Sequence, residues 1–225
     1  MNAFFVSSVA VFAAASTATA GFTGFSADRV VLSNGNIQYK VYANFNDVGL
    51  PAGQSWVFLN AYSHATVSGT MNAVHQDFFV QDGEVGTWQA GSSVSAADRD
   101  FDSWVTASGL ATSSGWGTAL DPGFTSGGTV GDVNNGAGWY DATPGTPNAI
   151  GVGGTQGGYR ILLAQIVRNG NDADALATFY LKNAFKVAGT TTALFAEGTF
   201  SIGVVPAPGA MALLGVAGLA GRRRR

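Results

Sequence analysis

The clearest pattern in the chain is a strict alternation of apolar and polar residues over 37–45, which reads IQYKVYANF. Ile37, Val41 and Phe45 belong to one set of alternate positions, and polar residues such as Lys40 belong to the other. Alternation with a period of two is typical of a β-strand with one buried face. We therefore expect 37–45 to be a strand whose apolar set faces a core.

A turn signal precedes this strand. The segment 33–36 reads Ser-Asn-Gly-Asn, and Asn34-Gly35 favours the positive φ angles of a two-residue hairpin turn. The apolar segment 29–32 lies directly before it. We expect 29–32 and 37–45 to pair as a hairpin.

A second turn signal, NGND at 169–172, separates the strand-like segments 159–168 and 175–182. The same rule predicts that these two segments form a second hairpin. Residues 172–177 could instead begin a short helix, and the sequence leaves that alternative open.

Further strand-like segments are 54–62, 64–71, 77–81, 103–107 and 190–203. Turn signals separated by about 8–15 residues are typical of an antiparallel sandwich. The segment 108–158 has a loop-like composition, but it is too long for a structureless connection. We expect it to hold one or two short strands, or to be an insertion that carries recognition. The predicted fold is all-β, a single antiparallel β-sandwich of jelly-roll-like type over residues 21–204.

The N-terminal segment 1–20 departs from this pattern, because 3–15 is apolar apart from two serines. This length is typical of the apolar region of a signal peptide. Ala18 and Ala20 supply the small side chains that signal peptidase requires, with cleavage before Gly21. We expect 1–20 to be a signal peptide that directs export. The alternative is a buried N-terminal helix of the fold.

The C-terminal segment is apolar from Val204 to Gly221 and ends in four arginines. A helix of that length rises about 27 Å, close to the ~30 Å hydrocarbon core of a bilayer. Because arginines stay on the cytoplasmic side of a membrane, the body of the chain would lie outside. An amphipathic helix of the fold is disfavoured, since the segment has no polar face. The anchor and stop-transfer residues are Leu213, Leu214, Leu219, Arg222, Arg223, Arg224 and Arg225.

The segment 205–225 joins three features in order: Val205-Pro206-Ala207-Pro208, the apolar helix and the arginine cluster. This layout resembles the PEP-CTERM sorting signal, in which Glu usually stands where this chain has Ala207. The resemblance implies recognition by an exosortase, a membrane-embedded Cys protease-transpeptidase of bacteria that make extracellular polysaccharide. It further implies transient anchoring in the inner membrane, processing near Pro206–Pro208, and delivery to the cell surface or extracellular matrix.

The composition of the chain excludes several kinds of partner and site for the body that we expect to be exported. Without the four terminal arginines, the chain has seven basic residues against fourteen acidic ones, a formal charge of −7. The lack of a basic excess disfavours nucleic acid as a partner. The chain has no Cys, which excludes a disulfide framework, a thiolate metal site and a Cys nucleophile.

Three carboxylates at alternate positions, Asp98, Asp100 and Asp102, could converge on calcium. An EF-hand loop is excluded, because Ser103 and Gly109 stand where its sixth-position Gly and twelfth-position Glu would be. An exposed acidic turn is the favoured interpretation. We expect no metal and no other cofactor.

No catalytic group is predicted. Glu84 and Glu197 are the only glutamates, and nothing in their setting suggests the facing carboxylates of a glycosidase. His64 and His75 have no Gly-x-Ser-x-Gly motif to present a nucleophile. A secreted hydrolase is therefore the least favoured alternative.

Tryptophans provide the other candidate chemistry. Trp56 and Trp104 lie in strand-like segments and are expected in the core. Trp116 and Trp139-Tyr140 lie in Gly-rich segments, where they would either anchor a loop or stack on sugar rings. The sequence favours a structural or adhesive surface protein, with a carbohydrate-binding module for extracellular polysaccharide as the alternative.

Overall fold

The computed structural model describes residues 21–68, 100–107, 118–121, 138–141, 152–153, 159–170 and 176–203. They form ten strands, β1 (Phe22–Val31), β2 (Ile37–Phe45), β3 (Trp56–Ser68), β4 (Trp104–Val105), β5 (Thr118–Leu120), β6 (Gly138–Asp141), β7 (Val152–Gly153), β8 (Tyr159–Arg168), β9 (Ala177–Val187) and β10 (Leu194–Ile202). Each pair of neighbouring strands is antiparallel. The described part of the chain is all-β, which confirms the predicted fold class.

The strands form two sheets, consistent with a β-sandwich. Sheet A has the order β1-β2-β8-β4, with β7 also paired to β8, and sheet B has the order β10-β9-β3-β6-β5. Aromatic rings join the two sheets: Phe22 and Phe25 of β1 lie 6.5 and 6.1 Å from Phe185 and Phe200, respectively. The core therefore lies between the sheets.

The first predicted hairpin is confirmed. β1 and β2 pair with Val31 opposite Ile37, and the Leu32 N–H donates to the carbonyl of Asn36 at 2.8 Å. The turn differs from the expected two-residue turn at Asn34-Gly35. The Gly35 N–H donates to the Leu32 carbonyl at 3.0 Å, so Ser33 and Asn34 are the central residues, and Gly35 follows them with a φ of 85°. The five alternate apolar residues of β2 are all buried: Ile37, Tyr39, Val41, Ala43 and Phe45.

The second predicted hairpin is wrong. β8 pairs with β2, β4 and β7 in sheet A, whereas β9 pairs with β3 and β10 in sheet B. The chain therefore crosses between the sheets after β8. Asn169-Gly170 carries a turn signal, but a turn signal does not specify which strand will be the partner. The sequence left open a short helix over 172–177. Leu176 is not helical and Ala177 is the first residue of β9, so such a helix does not include these two residues.

Two other expectations change in detail. The segments 54–62 and 64–71 were expected as separate strands, but β3 runs unbroken from Trp56 to Ser68. Its pairing with β9 shifts register at three places, which allows a long strand to bend without ending. The segment 108–158 contributes three short strands, β5, β6 and β7. The predicted strand 77–81 lies outside the described residues.

Candidate functional site

Most of the predicted sorting residues lie outside the described part of the chain. This applies to the cleavage residues Ala18 and Ala20, to the motif Val205-Pro206-Ala207-Pro208, and to the anchor and arginine cluster over 213–225. Among the residues that the structure describes, no helix is long and apolar enough to cross a membrane. The structure does describe the two ends of the folded part, Gly21 and Gly203.

Gly21, the first residue after the predicted cleavage site, is part of the folded structure. It is buried and has a φ of 91°, and its carbonyl accepts a 2.7 Å hydrogen bond from the Asn46 N–H. The Trp56 indole donates to the Asn46 carbonyl at 2.8 Å. A Cβ at position 21 would overlap Cζ2 of the Trp56 ring. A side chain at position 21 would therefore require Trp56 to move.

The other end of the folded part is the end of β10. Ile202 is buried, and three residues separate it from Pro206 of the proposed sorting motif. β1 and β10 run in the same direction, because Phe22 lies beside Phe185, the pairing partner of Leu194, and Phe25 lies beside Phe200. Gly21 and Ile202 therefore lie at opposite ends of these strands.

The acidic segment does not form a convergent ligand set in the described residues. Asp100 is exposed, whereas Asp102 is fully buried and its Oδ1 accepts a 2.8 Å hydrogen bond from the Ser103 N–H. Side-chain amides of Gln38 and Gln165 donate to the carbonyls of Asp100 and Asp102 at 3.0 and 2.8 Å. These bonds fasten the segment to sheet A. Asp98 lies outside the described residues, within which no cluster of three potential metal ligands occurs.

The tryptophans are structural where they are described. Trp56 and Trp104 are buried, as predicted. Trp139 is also buried, and its indole N–H donates to the carbonyl of Thr106 at 2.9 Å. Trp139 is therefore not available to stack on sugar rings. Its role is structural, although it lies in strand β6 and in the core rather than in a loop. Its neighbour Tyr140 is 42% exposed, and Trp116 lies outside the described residues.

A polar cluster lies on the outer face of sheet A. Arg160 pairs with Asp28 at 2.9 Å, and its guanidinium lies 3.8 Å from the centroid of the Tyr42 ring. Burial, and next the nearby Asp28 carboxylate, raises the pKa of Tyr42. These contacts link strands β1, β2 and β8 through their side chains.

A second cluster lies on the outer face of sheet B. Lys182 Nζ lies 3.4 Å from Glu197 Oε2. A hydrogen bond from Tyr180, supported by Lys182, lowers the pKa of Glu197, while burial and the bond to Glu197 raise the pKa of Tyr180 to about 12. Glu197 is therefore held as a carboxylate on an open face, which does not suit a general acid. Glu84 and His75 lie outside the described residues.

One exposed aromatic residue was missed by the sequence reasoning. Phe195 is 70% exposed on β10. In the segment LFAEGTFSI it occupies the alternate set that also holds Glu197, Thr199 and Ser201. An aromatic residue in the polar set of a strand was the available signal.

Comparison with known proteins gives no similarity from which a function could be inferred. The chain matches no known protein family, and neither a curated protein nor a solved structure matches it.

Proposed function

We propose that this chain is an exported bacterial protein of the cell surface or extracellular matrix, with a structural or adhesive role, sorted by an exosortase-like enzyme. The observation that carries the proposal is the three-part layout of 205–225, a Pro-x-Pro motif, an apolar segment and four arginines. The bounds of the fold support it: β1 starts one residue after Gly21, and β10 ends at Ile202.

The proposed order of events follows from these segments. Signal peptidase removes 1–20 during export, and the apolar segment 204–221 then holds the protein in the inner membrane. The exosortase-like enzyme cuts near Pro206–Pro208 and passes the body to the surface or matrix. Since Ile202 and Gly21 lie at opposite ends of their strands, the Ile202 end would face the membrane and the Gly21 end would face outward.

We propose one sandwich domain over 21–204, of the jelly-roll-like type expected from the sequence. Pairing between strands that are far apart in the sequence, β2 with β8 and β3 with β9, supports a single unit. The ion pairs Asp28–Arg160 and Lys182–Glu197 each link neighbouring strands.

The tail can be tested by cell fractionation. Deletion of 206–225 removes the anchor and the sorting motif but leaves every described strand intact. We expect the deleted form to leave the membrane fraction and to be lost from the cell surface, whereas the full chain passes through the inner membrane to the surface. The double substitution Pro206→Ala, Pro208→Ala keeps the apolar segment, so we expect it to accumulate unprocessed in the membrane. Normal surface delivery of the deleted form would contradict the proposal.

A further inference from the structure

Five residues form a row across the outer face of sheet B, one from each strand. Successive register partners define this row: Phe195 of β10, Ala184 of β9, Asn60 of β3, Tyr140 of β6 and Ala119 of β5. We call it the sheet B row. The alternate residues next to it, Phe185 and Trp139, are buried in the core. Because side chains alternate between the faces of a sheet, the sheet B row faces outward.

Aromatic side chains stand at two positions of this row. Phe195 is 70% exposed and Tyr140 is 42% exposed. Three strand spacings separate them, about 14 Å along the row. The exposed Asn60 lies between them and offers an amide with both donors and an acceptor. The two exposed rings and the amide thus lie along one line, in which Ala184, between Phe195 and Asn60, is itself buried.

The described outer face of sheet B has a formal charge opposite in sign to that of the chain without its terminal arginines. Lys182 and Lys186 occupy the outward positions of β9 on either side of Ala184, and both are at least partly exposed. Glu197 is the only acidic residue among the described outward positions of these strands. The described face therefore carries a formal charge of +1, whereas the chain without its terminal arginines carries −7.

We propose that the sheet B row, with Lys182 and Lys186, binds an acidic polysaccharide. Sugar rings have apolar C–H faces that pack on exposed aromatic rings, and Asn60 can hydrogen-bond to their hydroxyl groups. Carboxylates on the sugar chain would pair chiefly with Lys186, because Lys182 already shares its charge with Glu197. A second copy of this chain fits less well, because a two-fold contact through this face would bring the same lysines together.

This proposal adds a binding partner to the proposed matrix protein. Its biological setting rests on that proposed function, whereas the binding does not. The binding itself can be measured with the purified full-length chain in mild detergent. The probe is alginate, a polymer of sugar acids, and its binding is measured by affinity electrophoresis. Carboxyl-reduced alginate is the uncharged control polymer. Sorting in cells plays no part in this measurement, so failure of one proposal is distinguishable from failure of the other.

We expect the chain to bind alginate and to bind the reduced polymer roughly tenfold or more weakly. Tyr140→Ala and Phe195→Ala should each lower alginate affinity by roughly tenfold, as loss of an aromatic anchor does. Lys186→Gln should weaken binding to alginate but not to the reduced polymer. The matched controls are Val48→Ala, at a 64% exposed apolar residue outside sheet B, and Lys40→Gln, on sheet A. Both should bind as the unchanged chain does.

Three results would overturn the proposal. The first is that alginate fails to retard the unchanged chain. The second is that Tyr140→Ala and Phe195→Ala bind as tightly as the controls while their melting temperatures show intact folding. The third is that sedimentation velocity shows a dimer which both substitutions dissolve, since the face would then be a contact between copies.

Discussion

At the scale of single residues, the start of the domain depends on the packing of one tryptophan. Trp56 is fully buried, stacks with Phe45 at a centroid distance of 5.8 Å and makes an edge contact with Phe185 at 5.5 Å. Its ring also occupies the space next to Gly21 that a Cβ would need. Position 21 is therefore restricted both by backbone conformation and by this contact.

We predict that Gly21→Ala destabilises the protein more than Gly35→Ala. Both glycines have positive φ, but a Cβ at position 35 meets no atom within 4 Å. Gly35→Ala should cost about 1–2 kcal/mol through backbone strain alone. Gly21→Ala should cost about 1–3 kcal/mol more, because Trp56 must move. Urea denaturation of the two variants measures the difference, and equal losses would show that Trp56 does not restrict position 21.

A second residue-scale prediction concerns Tyr180. Burial and the hydrogen bond to Glu197 raise its pKa to about 12 from an ordinary value of 10.0. The folded state then keeps a proton that the unfolded state loses, so stability falls as pH rises from about 10 to 12 and is unaffected below that range. In a spectrophotometric titration of tyrosinate, Tyr180→Phe should remove a late-ionising group. Glu197→Gln should lower the pKa of Tyr180, and an unchanged titration in both variants would contradict this account.

At the scale of elements, the shortest strands depend on side chains as much as on backbone pairing. β4 has only two residues, but Ser103 extends its pairing with β8. The Ser103 hydroxyl accepts a 2.9 Å hydrogen bond from the Val167 N–H and lies 3.3 Å from the Val167 carbonyl, to which it donates. A buried hydroxyl thus takes the place of a backbone partner.

We predict that Ser103→Ala costs about 1–3 kcal/mol, because it leaves the buried Val167 N–H without this acceptor. Ser201→Ala is the matched control. Its hydroxyl bonds to Thr178 at 2.8 Å in a half-buried position, and its loss should cost about 0.5 kcal/mol or less. Thermal unfolding distinguishes the two. Equal small losses would mean that Ser103 does not hold β4 to sheet A.

The strands themselves were predictable where local patterns determine them. Alternation over 37–45 and the Asn34-Gly35 turn predicted β2 and its hairpin, because both signals depend only on neighbouring residues. The partner of β8 was not predictable from Asn169-Gly170, since pairing across sheets depends on distant strands. Strand β6 was not predicted, because its four residues lie in a Gly-rich segment whose composition resembles a loop.

At the scale of the whole molecule, we propose a folded body between two sorting segments, 1–20 and 205–225. The candidate sorting residues could be proposed from the sequence, because signals of this kind are short and linear. The sheet B row could not, because its members come from five strands and meet only through register. One available signal, the aromatic residue Phe195 in the polar set of β10, was missed.

The central claim is that two segments are cleaved from the folded body, the N-terminal residues 1–20 and the C-terminal residues that follow the Pro-x-Pro motif. The most direct measurement is mass spectrometry of the intact protein recovered from the surface of the producing cells. We predict an N-terminus at Gly21 and a C-terminus near Pro206–Pro208, with the segment through Arg225 absent. A surface form that retains Arg222–Arg225, or that begins at Met1, would contradict the account.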